Sequence, residues 1–158
     1  MTRIELVTDI RATQEQCFDL ARDLDLHVRS MSRAGEQAVA GRTSGLICMG
    51  EEVTWRARHF GVVHHHTSRI TAFDRPAHFR DIMVSGRFKT FEHDHLFETA
   101  GDLTRMRDIV IFESPFGPLG RLVDRLVLAP YLTRLLKERN RVIRTEAERI
   151  PGAAARPG

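Results

Sequence analysis

The segment FEHDHLFE, residues 91–98, sets two histidines two positions apart among phenylalanines and acids. Read as a strand, it puts Phe91, His93, His95 and Phe97 on one face, and Glu92, Asp94, Leu96 and Glu98 on the other. Imidazoles on an aromatic face can do three kinds of chemistry. Held by a carboxylate through one ring nitrogen, a histidine can move a proton with the other. An HxH pair on a strand, joined by His64 or His66 and Asp108, has the ligand types of a zinc site. That spacing recurs often by chance, however, and no metal is expected. Finally, a few fixed polar groups in an apolar pocket give a ligand its orientation.

The neighbouring strands decide what these histidines face. A turn at Ser85-Gly86-Arg87 that pairs Val84 with Phe88 sets Phe79 opposite His93 and Asp81 opposite Phe91. A two-residue loop at Ala100-Gly101 sets His95 opposite Met106, His93 opposite Asp108 and Phe91 opposite Val110. The inner face then carries Phe79, Met83, Phe91, Phe97, Met106, Val110 and Phe112 around a polar island of His93, His95, Asp108 and Asp81. A slip of one residue would bury Arg105 and Arg107 instead, at a prohibitive cost. Three readings of the island stay open. His93 and Asp108 can satisfy each other as a buried pair with no ligand. The same pair can anchor a ligand. Or they can be catalytic, His93 acting as a base oriented by Asp108 in a dry cavity. No Ser or Cys nucleophile stands beside them, and the chain has no Gly-rich phosphate loop.

Residues 3–10 read as a first strand, with Ile4 and Leu6 inward and a change of phase at Val7. A helix follows, where Thr13 and Gln16 fit a capping box and Cys17, Leu20, Ala21 and Leu24 form a stripe. A second short helix is expected over Leu26–Met31. One strand lies near 36–41. EEVTWRARH puts Val53, Trp55, Ala57 and His59 on one face, leaving Arg56 and Arg58 with solvent; Gly61 then turns the chain into VVHHHTSRITAF. There His64 and His66 share the inner face and His65 points away. Short glycine-bearing loops between strands mean antiparallel hairpins. After SPFGP the period changes to that of one helix of about 30 residues, roughly 45 Å long, kinked at Pro130. Leu119, Leu122, Val123, Leu126 and Val127 are expected to close the space over the sheet, and Phe116 to gate it. Met31, Met49, Met83 and Met106 suit an adaptable lining.

With 158 residues, the chain is expected to form a single domain over 1–150 with a frayed tail at 151–158. Net charge is +3, almost all of it from scattered arginines, and Lys occurs only at 89 and 137. No basic block marks a nucleic-acid arm. No apolar run approaches the ~20 residues of a membrane span, and the first residues lack a signal-peptide layout. Cys17 and Cys48 form no CxxC pair and are read as reduced thiols. A cytoplasmic location is expected, with no cofactor, no nucleic acid and no integral membrane association; homodimerisation is left open.

The phrases FDLARDLDLHVRSM, EEVTWRARHFG, TSRITAFDRPAHFRD, GRFKTFEHDHLFE and TRMRDIVIFESPFGPLGRLVDRLVL, in this order and spacing, resemble the START-like (SRPBCC) superfamily in its polyketide cyclase/dehydrase branch. The resemblance implies an α+β helix-grip fold: a curved seven-stranded antiparallel sheet around a long C-terminal helix, with two short helices after the first strand. It also implies a small hydrophobic ligand, such as a lipid or polyketide, held between sheet and helix. On this reading the ligand meets Trp55, His64, His66, Phe79, Asp81, Met83, Phe91, His93, His95, Met106, Asp108, Val110, Phe112, Leu122 and Leu126. The alternative is a cyclase, dehydratase or aromatase using His93 and Asp108. A protein-interaction module would need an exposed apolar patch, and no segment marks one.

Overall fold

The computed structural model describes residues 1–151; beyond Pro151 the expected tail lies outside the described residues. Seven strands, β1 (Thr2–Ile10), β2 (Gln37–Gly41), β3 (Glu52–His59), β4 (Val62–Asp74), β5 (His78–Ser85), β6 (Thr90–Ala100) and β7 (Leu103–Glu113), form one antiparallel sheet in the order β1-β7-β6-β5-β4-β3-β2. Between β1 and β2 lie α1 (Gln14–Ala21) and α2 (Leu24–Ser30). The inward faces follow the period-2 pattern, most cleanly in β7, where Thr104, Met106, Asp108, Val110 and Phe112 are all buried. Along β1 the expected phase change does not occur. Ile4 and Ile10 point in, while Val7 is exposed on the outer face.

Helix α1 starts where its side chains can cap it. The Gln16 amide donates to Thr13 Oγ1 at 3.2 Å, and the Thr13 amide donates to Gln16 Oε1 at 3.1 Å. Its inner face drives Phe18 edge-on against Phe73, Phe79 and Phe97, with centroids 5.3, 5.2 and 5.4 Å away. Asp23 caps α2, accepting from the amides of Asp25 and Leu26.

Both hairpins around β6 settle two residues from the expected pairing. Phe79 lies opposite His95 and Asp81 opposite His93; His95 lies opposite Asp108, His93 opposite Val110 and Phe91 opposite Phe112. The turn between β6 and β7 is Gly101-Asp102, not Ala100-Gly101, and the link between β5 and β6 is longer than three residues. An even shift keeps every side chain on its face, so the inner set survives while its partners change.

The C-terminal segment differs more. Instead of one helix kinked at an internal proline, α3 (Gly117–Val123) runs into a single π turn (Asp124–Leu128) and then α4 (Ala129–Arg149). The Ala129 amide donates to the Asp124 carbonyl, five residues back. This wider turn sits where Pro130 would otherwise clash with the preceding turn, leaving Pro130 in the first turn of α4. The extra residue also rotates the inward stripe. In α4 the inward residues are Leu136, Arg139, Asn140, Ile143 and Ala147. In α3 and the π turn they are Gly120 and Asp124, and the Asp124 carboxylate accepts from the Ser114 amide at 3.0 Å. Leu119, Leu122, Val123, Leu126 and Val127, expected to close the cavity, therefore face outward and are 40–67% exposed.

Gly120 meets the carbonyl oxygen of Pro115 so closely that a Cβ would overlap it. Gly120→Ala should therefore lower stability, by about 1–3 kcal/mol as overpacking does, although Ala outranks Gly in an open helix by about 1 kcal/mol. Urea unfolding reads the sign directly, and a stabilised variant would show that α3 does not pack on the end of β7.

Candidate functional site

Between the concave face of the sheet and α4 lies a cavity of about 350 Å³. Its walls are largely apolar: Val53, Trp55, Ala57, Ile70, Phe79 and Phe91 from the sheet, Leu24 from α2, and Leu132, Leu135 and Leu136 from α4. The lining residues that are themselves exposed, Phe60, His65 and Arg87, all sit at or beside the β3–β4 and β5–β6 hairpin tips. The cavity opens at that end.

A polar cluster stands in the wall where β5, β6, β7 and α4 meet. Asp108, with no exposed surface, receives four groups. His93 Nε2 is 2.9 Å from Oδ1, His95 Nδ1 is 3.0 Å from Oδ1, Arg139 Nη1 donates to Oδ1 at 3.4 Å, and Asn140 Nδ2 donates to Oδ2 at 2.6 Å. His95 reaches a second carboxylate through Nε2, 3.1 Å from Asp81 Oδ2, and stacks on Phe79 with centroids 4.1 Å apart. Its ring also lies against that of His93, centroid to centroid 3.8 Å. Arg139 has a further anchor, donating through Nη2 to the Ala21 carbonyl at the end of α1.

Burial alone would favour neutral acids here. At Asp108 it is outweighed by the hydrogen bonds from His93 and His95 and by the charge of Arg139, and the carboxyl stays well below its usual range. At Asp81 the bond from His95 and the fields of both histidines likewise overcome burial and hold the carboxyl at about 2. For His93 burial wins: with His95 close by, its pKa falls despite the Asp108 partner. Asp108, ionised, only accepts, so His93 Nε2 carries the proton. His93 Nδ1 makes no hydrogen bond among the described residues, and the ring lines the cavity. The result is a neutral imidazole, oriented by a carboxylate, with a free lone pair.

Further polar residues line the rest of the cavity. His27 Nε2 lies 2.7 Å from Glu36 Oε1 and its ring lies tilted against Trp55, centroids 4.3 Å apart. His59 Nδ1 is 2.7 Å from Tyr131 Oη, and His66 Nε2 is 3.1 Å from Ser68 Oγ. Of the residues singled out from sequence, Trp55, His64, His66, Phe79, Asp81, Phe91, His93, His95 and Val110 line the cavity. Asp108 stands behind the histidines. Met106 is consumed in the core with Ile10 and Phe18, and Phe112 packs with Ile4 and Leu136. Met83 points past the lining toward Gly86, and Met49 is exposed; of the four expected methionines only Met31 reaches the cavity. Leu122 and Leu126 are on the outer surface. Sequence reasoning missed Arg139, Asn140, Glu36, His27 and Tyr131. For the first two a signal existed, because Leu136, Arg139, Asn140 and Ile143 fall at helical spacing on one stripe.

Asp81, His93 and His95 each offer a ligand atom within 4.8 Å of the others. Such a set can hold a divalent ion, yet the Arg139 guanidinium already sits against the same imidazole and against the Asp108 carboxylate beside it.

Burial also pushes the imidazoles of His59 and His66 down, so three histidines, with His93, titrate lower in the folded chain than the ordinary ~6.5. Below that pH the unfolded chain binds protons that the folded one refuses, and stability must fall as pH drops. Thermal melts at constant ionic strength should give a lower Tm at pH 5 than at pH 7.5, with a shallower fall for His93→Gln. A Tm flat across this interval would contradict neutral burial.

No protein family and no curated protein matches the chain by sequence. Its three-dimensional relatives are plain. The protein TTHA0849 from Thermus thermophilus superposes with a TM-score of 0.72 at 20% identity, covering 92% of this chain and 99% of that one. A START superfamily protein from Mycobacterium smegmatis gives 0.69 at 10% identity, over 94% and 99% of the two chains. The major latex-like protein 151 from Panax ginseng gives 0.65 at 17%, over 92% and 97%. A seven-stranded antiparallel sheet wrapped on a long C-terminal helix, together with these likenesses over at least 92% of the chain, makes this a START/SRPBCC-type helix-grip fold.

Proposed function

We propose that the protein binds a small, mostly apolar molecule bearing at least one hydroxyl or other hydrogen-bond donor, seated between the sheet and α4. The observation that carries this reading is the unpaired Nδ1 of His93 at the wall of a largely apolar cavity of about 350 Å³. That volume falls at the small end of the ~300–1,000 Å³ typical of ligand pockets. A donor on the ligand would meet the lone pair, and the hydrocarbon remainder would displace water from Trp55, Phe91 and Leu132. The polar residues around the cavity suit a polyketide or an oxygenated lipid better than a bare hydrocarbon.

A second reading has its own support. A neutral imidazole held by a buried carboxylate, with its free nitrogen at a largely apolar cavity, is arranged as a general base. It would take a proton from the carbon next to a ligand carbonyl onto His93 Nδ1 and leave an enolate, the step from which a polyketide cyclisation or dehydration begins.

Two experiments test these readings. Native mass spectrometry and solvent extraction of freshly purified protein should yield a bound organic molecule, and an environment-sensitive apolar fluorophore should bind with one-to-one stoichiometry. Leu132→Trp, which fills the cavity, should abolish that binding while the far-ultraviolet spectrum is kept. A fluorophore that binds the filled variant equally well would remove the cavity from consideration. For the base, the protein in heavy water should exchange the acidic methylene of a β-diketone at least ten-fold faster than His93→Gln does. Equal rates would leave binding alone.

A further inference from the structure

The outward stripe of α3 and the π turn has no partner within the fold. Phe116, Leu119, Leu122, Val123, Leu126 and Val127 are 40–81% exposed, and five of the six recur at the 3–4 spacing that marks the apolar face of an amphipathic helix. The fold does not leave them out for want of an alternative, since Gly120 and Asp124 hold the opposite side of the same helix against the end of β7. A patch of this kind on a monomer marks an interaction surface.

Its position and charge point to the occupant. The stripe lies between Ser114 and Leu128, both of which line the cavity, and so stands beside the opening marked by Phe60 and Arg87. Phe60, 63% exposed at the β3–β4 tip, packs on Tyr131 and extends the apolar surface across that opening. Arg121 and Arg125 border the stripe, and Arg87 stands across the mouth; all three are exposed and without an ion pair among the described residues. The only acid from 114 to 134 is Asp124, which is fully buried. An apolar face rimmed by free arginines, with no exposed acid on the same segment, complements an anionic lipid surface. Leucines and phenylalanine would enter the acyl boundary while guanidiniums meet phosphates. A second copy of the chain would instead set like-charged arginines against each other.

We infer that the protein docks peripherally on anionic membranes through α3 and the following π turn, with the mouth of its cavity against the bilayer. The inference relies on the ligand-binding reading only for what passes through that mouth. No helix of the described residues is long and apolar enough to cross a membrane, so the contact is at the surface.

Vesicle flotation tests it. The protein should float with vesicles of phosphatidylglycerol and phosphatidylcholine, and only weakly with pure phosphatidylcholine. The double variant Leu122→Asp/Leu126→Asp should stay with the soluble fraction. Arg121→Gln/Arg125→Gln should lose roughly thirty-fold in partitioning, at about five-fold per basic residue near an anionic surface. These positions are exposed, so all variants should keep the wild-type melting temperature and should bind the apolar fluorophore unchanged in solution. That control separates loss of docking from loss of the cavity. Absence of flotation, flotation indifferent to lipid charge, or a stripe-dependent dimer in sedimentation velocity would each overturn the inference.

Discussion

A carboxylate with no exposed surface cannot be left uncompensated, and Asp108 organises the structure through that requirement. Stripping a charge of water costs several kcal/mol even after relaxation. Asp108 recovers it through two imidazoles on β6 and through a guanidinium and an amide on α4. The acid on β7 thereby ties the last helix to the middle of the sheet with directional bonds. Directional bonds set a separation as well as an attraction. Arg139 spans from Asp108 to the Ala21 carbonyl and fixes the height of α4 over the middle of the sheet, while Leu136 one turn away packs on Ile4, Val110 and Phe112. The hollow in the fold is the space left on the mouth side of that strut.

This arrangement explains which parts were legible in the sequence. Strand periodicity is local, so the inner faces of β5, β6 and β7 could be read directly, and the island of His93, His95, Asp81 and Asp108 with them. Which residues of the island touch was not legible. Register depends on where each hairpin turns, and both turns lie further along than the simplest reading puts them. Asp108 therefore faces His95 and reaches His93 along the diagonal, while Asp81 comes into the cluster beside His95. Arginine reads as a surface residue on average, which hid Arg139, although its helical phase placed it inward. Phe112 and Met106 point inward as expected, but inward in this fold means either core or cavity. Alternation along a strand does not separate the two.

The clearest divergence is the stripe from Leu119 to Val127. Its spacing states only that one face of a helix is apolar. It does not state whether that face meets the protein's own interior or something outside. The decision rests on two small facts, a glycine whose missing Cβ admits the Pro115 carbonyl and an aspartate that closes on the Ser114 amide. The π turn then reconciles two helices whose buried faces are out of phase. In this fold one continuous helical run serves two environments, and one extra residue in a single turn separates them.

The strand order carries a last consequence, for how the chain comes to be folded. From β2 to β7 each strand pairs with the next in sequence, so hairpins can close one after another as they are made. The first strand is the exception: Ile4 pairs with Val110, and Ile10 with Thr104. Of the seven strands β1 is made first, and it waits for the rest of the sheet to be synthesised before its partner edge exists. Its apolar side chains thus lack their partner strand until β7 has been made, and the β1–β7 seam is the last of the sheet to close.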